Sequence, residues 1–350
     1  MVIYILNIIL ILFFYILYKN RIITKKICCI CIGVQLTILS GMRSQNVGFD
    51  TYNYLNIYKI DGKMAFNNLF SYYQGFNGEI GFHLLNKILW MIGINSSFYL
   101  MIIAAIYSFS ISRFIYKESI SIEISYIALF TFNFFQFSMT GLRQTIAIAI
   151  ILFALVYIKE KKYINAIIII LIASQFHFSS IICLFFIPLK HFITNKKAVC
   201  YATLLTLCSY IVRKPIANFL IIFFRDKSYI VENNGQGMMM MFMYFLITIY
   251  LLIVLFQVKN NNIDNYLYYF KIFVVATFFQ FLVPVQNIFF RISMFFGYSL
   301  IILLPLAIKT FKKWDITIIY MLTLIFLLLV YFTTTINSSG VVPYEFFWKG

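Results

Sequence analysis

Three arginines stand among other polar side chains in a chain that is otherwise strongly apolar. Arg43 lies in GMRSQNVGFDTYNY, seven residues before Asp50. Arg143 lies in SMTGLRQT, beside Gln144, and Arg291 follows PVQNIFF, just behind Gln286 and Asn287. A guanidinium is planar and offers parallel donors, so it suits phosphate better than a lysine does. Three of them in separate segments point to an anion site, and to charge stabilisation on a departing phosphate. Asp50, Glu79 and His177 are the candidates for proton transfer. A histidine titrates near working pH, and a carboxylate accepts a proton if its surroundings allow it. His83 joins the binding set. It lies in IGFHLLNKILWMIG, where His83, Asn86 and Lys87 share one helical face opposite Leu, Ile and Trp.

Each residue also has a plainer reading. An arginine at a helix end can snorkel to lipid headgroups. Asp50 can pair with Arg43, Glu79 can be solvated after FNG, and His177, in SQFHFSS, can bond to a neighbouring helix. The polar company around each arginine favours a site over lone anchors.

Other chemistries lack their residues. No Walker loop, H-E-x-x-H or G-x-S-x-G occurs, and no acidic pair has the D-x-D spacing of many sugar-nucleotide transferases. Neither a metal cluster nor a cofactor motif is legible. The six cysteines lie in apolar runs and read as packing residues.

The elements that must position these residues are membrane helices. Of 350 residues, 63% are hydrophobic, 20% aromatic and only 11% charged, with mean hydropathy +0.91. A water-soluble core cannot bury that much apolar surface, which excludes a soluble enzyme, a disordered chain and a disulfide scaffold. The net charge of +17 therefore reads first as topology rather than as nucleic-acid affinity. Spans are expected at Val2–Tyr18, Ile27–Gly41, Ser97–Ile115, Ile124–Thr140, Gln144–Ile158, Tyr163–Leu189, Ala198–Val212, Met238–Gln257, Tyr266–Val283, Ile292–Ile308 and Ile316–Phe332. The fold class is thus an all-α polytopic membrane protein of about 11–12 transmembrane helices, with short interfacial or re-entrant segments at Ile80–Gly93 and Pro215–Phe224. One transmembrane domain covers 1–350, with an outer loop at about 42–79.

Basic clusters set the orientation. Lys19, Arg21, Lys25 and Lys26 form one loop; Lys159, Lys161 and Lys162 form another. Lys190, Lys196 and Lys197 follow, then Lys309, Lys312 and Lys313. With these inside, the first span enters from the outer side and all the candidate site residues fall on or near the outer face. That arrangement needs Tyr163–Leu189 to break near His177. Non-helical backbone at such depth survives only where protein buries it or where it lines a wet cavity.

RSQNVGFDTYNY, EIGFHLLNKI, GLRQTIAIAI, ASQFHFSS and RISMFF, in that order, resemble the EpsG-like family of polysaccharide-repeat polymerases, which includes many Wzy-type O-antigen polymerases. The resemblance runs from about Gly41 to Pro305. It implies a GT-C-like polymerase in the bacterial inner membrane, acting on its periplasmic side. Such an enzyme moves a growing chain from undecaprenyl diphosphate onto the next lipid-linked repeat. It works beside membrane lipid, with a chain-length regulator and a flippase as partners and no nucleic acid. Arg43, Arg143, Gln144, Arg291 and His83 would hold diphosphate and sugar. Asp50, Glu79 and His177 would supply the base. Three rivals remain. A lipid-linked oligosaccharide flippase would carry charges along the middle of several helices. An O-antigen ligase would carry a larger outer loop. A membrane O-acyltransferase would centre on His177 and leave the arginines unexplained.

Overall fold

The computed structural model describes residues 2–73, 79–192, 194–222, 237–258, 260–310, 313–335 and 340–349. Gly75, Phe76, Asn77, Gly78, Phe223, Phe224 and Lys312, all within segments considered above, lie outside them. The described residues are almost entirely helical, and among them the only β pairing is an isolated antiparallel bridge between Arg43 and Phe346. The protein is an all-α polytopic membrane protein.

The chain divides into two compact units. One comprises residues 1–181 and 321–350, the other 182–320. The first unit opens with α1 (Val2–Lys19), α2 (Lys25–Gly41), α3 (Thr51–Lys63), α4 (Phe66–Tyr73) and α5 (Ile80–Met91). It continues with α6 (Ser96–Glu118), α7 (Ile122–Thr131), α8 (Phe134–Ser138), α9 (Leu142–Lys159) and α10 (Tyr163–Ser174). The second holds α11 (Phe186–Phe192), α12 (Lys196–Ser209), α13 (Arg213–Ile221), α14 (Met238–Gln257), α15 (Asn260–Leu282), α16 (Ile288–Gly297) and α17 (Leu300–Ile308). Helix α18 (Lys313–Thr335) runs from the second unit back into the first.

Side-chain caps mark several starts. Thr24 Oγ1 accepts from Ile27 N, Asn95 Oδ1 from Phe98 N, and Asn195 Oδ1 from Ala198 N. Each satisfies a backbone N–H that has no partner in the first helical turn.

Four described helices are long and apolar enough to cross a membrane: α1, α6, α9 and α14. Counting the bent pairs α12–α13 (92°) and α16–α17 (48°) as one span each brings the number to six. These counts, by length and composition over the described residues, are lower than the 11–12 expected, and several apolar runs that read as continuous are broken. Ile124–Thr140 becomes α7 and α8, hinged at Asn133 in the left-handed region (φ 62°). Asparagine enters that region more readily than a branched apolar residue does. Ala198–Val212 gives way to α13, with Pro215 in its first turn, where a missing N–H costs nothing. Tyr163–Leu189 breaks at Gln175–His177 and resumes as a 3₁₀ segment, Phe178–Phe185. The expected outer loop carries α3 and α4.

In the first unit an apolar cluster in which Tyr54, Tyr58, Phe82, Tyr99 and Leu142 take part joins α3, α5, α6 and α9. Tyr58 stacks on Tyr99 with ring centroids 4.2 Å apart. Burying these aromatics in register is what holds α5 and the start of α9 in place.

Candidate functional site

Two helix ends meet at the break near His177. Helix α10 finishes with unpaired carbonyls, and α5 begins with unpaired N–H groups. The Gln175 carbonyl accepts from Gly81 N (2.9 Å) and Phe82 N (3.3 Å), so each end satisfies the other. The approach is close. A Cβ on Gly81 would lie 2.8 Å from Gln175 Cβ and 3.0 Å from its carbonyl oxygen, so this position needs glycine.

Glu79 precedes α5 and sits at this junction. Its Oε1 accepts from His177 Nδ1 (2.9 Å) and from Phe178 N (3.1 Å). Its Oε2 takes Arg143 Nη1 at 2.5 Å. Burial alone would raise the carboxyl's pKa. The His177, Arg143 and Phe178 contacts outweigh that and hold it below its usual value of 4.5. Glu79 is therefore an anion that fixes its neighbours. As an ionised carboxylate it only accepts, so Nδ1 of His177 carries the hydrogen of that bond.

Arg143 lies in the first turn of α9, following Gly141. A cation there opposes the positive end of the helix dipole, and the Glu79 carboxylate offsets the cost. The guanidinium also stands 5.9 Å from the Tyr54 ring centroid. Its side chain is 24% exposed, against 7% for Glu79, so the cation rather than the carboxylate meets the outside. Gln144 follows Arg143 and is buried.

The other candidate residues fall elsewhere. Arg43 is fully buried, with Nη2 donating to Met139 O (3.0 Å) and Nη1 to the Ser40 carbonyl and hydroxyl. It ties the end of α2 to the strand of chain leading into α9, and burial lowers its pKa only to about 10, so it stays charged. The expected alternative, an Arg43–Asp50 pair, does not form. Asp50 lies half-buried just ahead of α3, with no side-chain capping bond. Arg291 lies on α16 in the second unit, behind buried Gln286.

His83 has a partner that sequence reading missed. Buried Asp61, near the end of α3, takes His83 Nδ1 (2.8 Å) and Asn86 Nδ2 (2.7 Å) on one oxygen. Tyr99 then donates to Asn86 Oδ1 (2.9 Å). Helix periodicity marked His83 and Asn86 as one face. The facing carboxylate is on another helix, in NIYKIDGK, where nothing distinguishes Asp61 from a solvated acid. Among the described residues no three His, Cys, Asp or Glu side chains gather as a metal site.

The family model that matches the chain is that of the EpsG family, over residues 26–346, nearly the whole length. No curated protein and no solved structure matches it. The chain belongs to the EpsG family, a Wzy-like polymerase family, and is a polysaccharide polymerase-type membrane protein.

Proposed function

We propose that this EpsG-family chain joins oligosaccharide repeats carried on undecaprenyl diphosphate, at the periplasmic face of the bacterial inner membrane, as an O-antigen or exopolysaccharide polymerase. The observation that carries the reading is the Arg143–Glu79–His177 cluster at the junction of α5, α9 and α10. In the reaction an acceptor sugar hydroxyl attacks the anomeric carbon of the donor. The bond from that carbon to the diphosphate breaks, and its electron pair leaves with the phosphate. Arg143 meets the charge that develops there, in a site already oriented by Glu79. The hydroxyl proton passes to Nε2 of His177, whose ring Glu79 holds through Nδ1. Gln144 adds an amide beside Arg143. His83 is placed by Asp61 for sugar hydroxyls, Arg43 for holding the approach to α9. Asp50, the most open of the three acids and bases, is a reserve base. Membrane lipid, a flippase and a chain-length regulator are the expected partners.

The test is complementation of a strain deleted for the gene, read as the lipopolysaccharide ladder. Deletion is expected to leave a single repeat on the lipid core. Arg143→Lys keeps the charge but loses the fork, and is expected to leave polymer absent at unchanged protein level, a loss of about 10²–10³ in rate. His177→Ala is expected to lose about 10²–10⁴. Full-length polymer from Arg143→Lys would remove Arg143 from the reaction. Disappearance of every repeat from the core on deletion would indicate a flippase or ligase instead, and an unchanged ladder an O-acyltransferase.

A further inference from the structure

The end of α9 away from Arg143 carries a second concave site. A cavity of about 250 Å³ opens between the last turns of α6 and α9. Its cations are Arg113, Lys117 and Lys162, against one carboxylate, Glu160. These groups are held in place. Arg113 lies over the Phe153 ring at 5.1 Å and Lys162 over Tyr157 at 5.8 Å. Glu160 accepts from Lys162 at 2.7 Å and from Lys117, while Lys159 pairs with Glu118 alongside at 2.5 Å. The two lysines hold the Glu160 carboxyl down to about 2, so it is ionised throughout the working range, and the three cations still outnumber it. The rest of the wall is Ser110 and the side chains of Phe114, Leu152 and Val156, with the Phe153 and Tyr157 rings already named.

Position decides what such a site can take. Helix α9 has 18 residues and so runs for roughly 27 Å, close to the thickness of a bilayer's hydrocarbon core. Helices α6 and α9 both have the length and apolarity of membrane spans. With Arg143 in the first turn of α9 and the cavity at its last, the two sites stand at opposite membrane boundaries. A ligand at that boundary meets cations on one side and acyl chains on the other. The volume is below that of a typical small-molecule pocket, and fits a headgroup rather than a whole lipid.

We infer that the cavity between the ends of α6 and α9 binds the phosphate of an anionic phospholipid, with Arg113, Lys117 and Lys162 as its cations. Phosphate oxygens match these donors, and clusters of basic residues between spans are the form that anionic-lipid sites take. A free phosphate ion shares the head chemistry but would leave the apolar wall unused. The inference is independent of the polymerase reading, because none of these residues belongs to the Arg143–Glu79–His177 cluster.

The experiment is native mass spectrometry on the full-length protein in detergent, titrated with phosphatidylglycerol and, as the zwitterionic control, phosphatidylethanolamine. Wild type is expected to retain one phosphatidylglycerol and to discriminate against the control. The double variant Arg113→Gln, Lys117→Gln is expected to weaken retention by roughly 30-fold, given the worth of two juxtamembrane cations. Arg113→Lys keeps the charge and is expected to retain the lipid, which separates loss of charge from loss of fold. Equal retention by wild type and the double variant would overturn the inference. So would displacement of the lipid by millimolar inorganic phosphate, which would make the cavity a simple anion site.

Discussion

Glu79 holds three donors at once, and that decides what it can do. A carboxylate engaged by His177, Arg143 and the Phe178 N–H has its folded pKa below its usual 4.5. Such a group stabilises the fold fully above its unfolded value and loses that contribution as pH falls through the folded one. Glu79 therefore gives the thermal midpoint of the purified protein no pH dependence around neutrality, and the midpoint is expected to fall once the pH drops below about 4.5. Glu79→Gln should flatten that acid limb while lowering the neutral-pH stability by about 3 kcal/mol, the low end for removing one partner of a buried pair. An acid limb identical in wild type and variant would show that Glu79 is not the titrating group. Asp61 is a second buried carboxylate, held by His83 and Asn86. Asp61→Ala leaves the donors of His83 and Asn86 buried without their acceptor, and is expected to cost about 3–5 kcal/mol in a thermal-shift measurement.

The decisive element-scale feature is the meeting of α5 and α10. Either helix alone would have to find partners for its end groups in water or in headgroups. Together they close on each other through Gln175, and the same closure carries Glu79 to His177. Gly81 is the residue that permits it. Gly81→Ala places a methyl against the Gln175 backbone and is expected to cost about 1–3 kcal/mol, with polymerisation falling further than protein level because the cluster is pried apart. Polymer of normal length from this variant would mean that the junction tolerates displacement. The break at Gln175–His177 was legible in sequence as a run too long for one helix and too short for two. Its chemical reason was not, because the donors that satisfy Gln175 come from α5, more than ninety residues earlier.

At the scale of the whole molecule, residues 340–347 matter more than their length suggests. Phe347 N donates to Met42 O, Ser44 N to Glu345 O, and Gly48 N to Gly340 O, so this segment pairs with the loop that follows α2. Tyr344 donates to Leu39 O at 2.7 Å, and Tyr4 to Val341 O at 2.8 Å. Arg43 lies beneath that pairing and reaches Met139, three residues before α9 begins. The segment thus fastens α1 and α2 to the chain that leads into Arg143. A protein ending before Gly340 is expected to lose several hydrogen bonds worth about 1 kcal/mol each, and with them much of its thermal stability. Tyr344→Phe removes one and should shift the midpoint only slightly. A truncated protein as stable as wild type would reduce the segment to a surface appendage.

Membrane class, helical content and the arginine-bearing blocks followed from the sequence alone. Apolar excess on this scale admits no other solvent, and a backbone in lipid must satisfy itself as helix or closed barrel. Family membership was legible for the same reason: short polar blocks stand out against an apolar background. Which polar residues meet was decided only in three dimensions. Asp50 and Glu79 look alike in sequence, yet one stands half-exposed before a helix and the other is buried among three donors. Arg43 and Arg143 look alike too, but one holds backbone carbonyls and the other faces a carboxylate. Ion pairs depend on the distance between charges, and in a helical membrane protein that distance is set by helices distant in the chain.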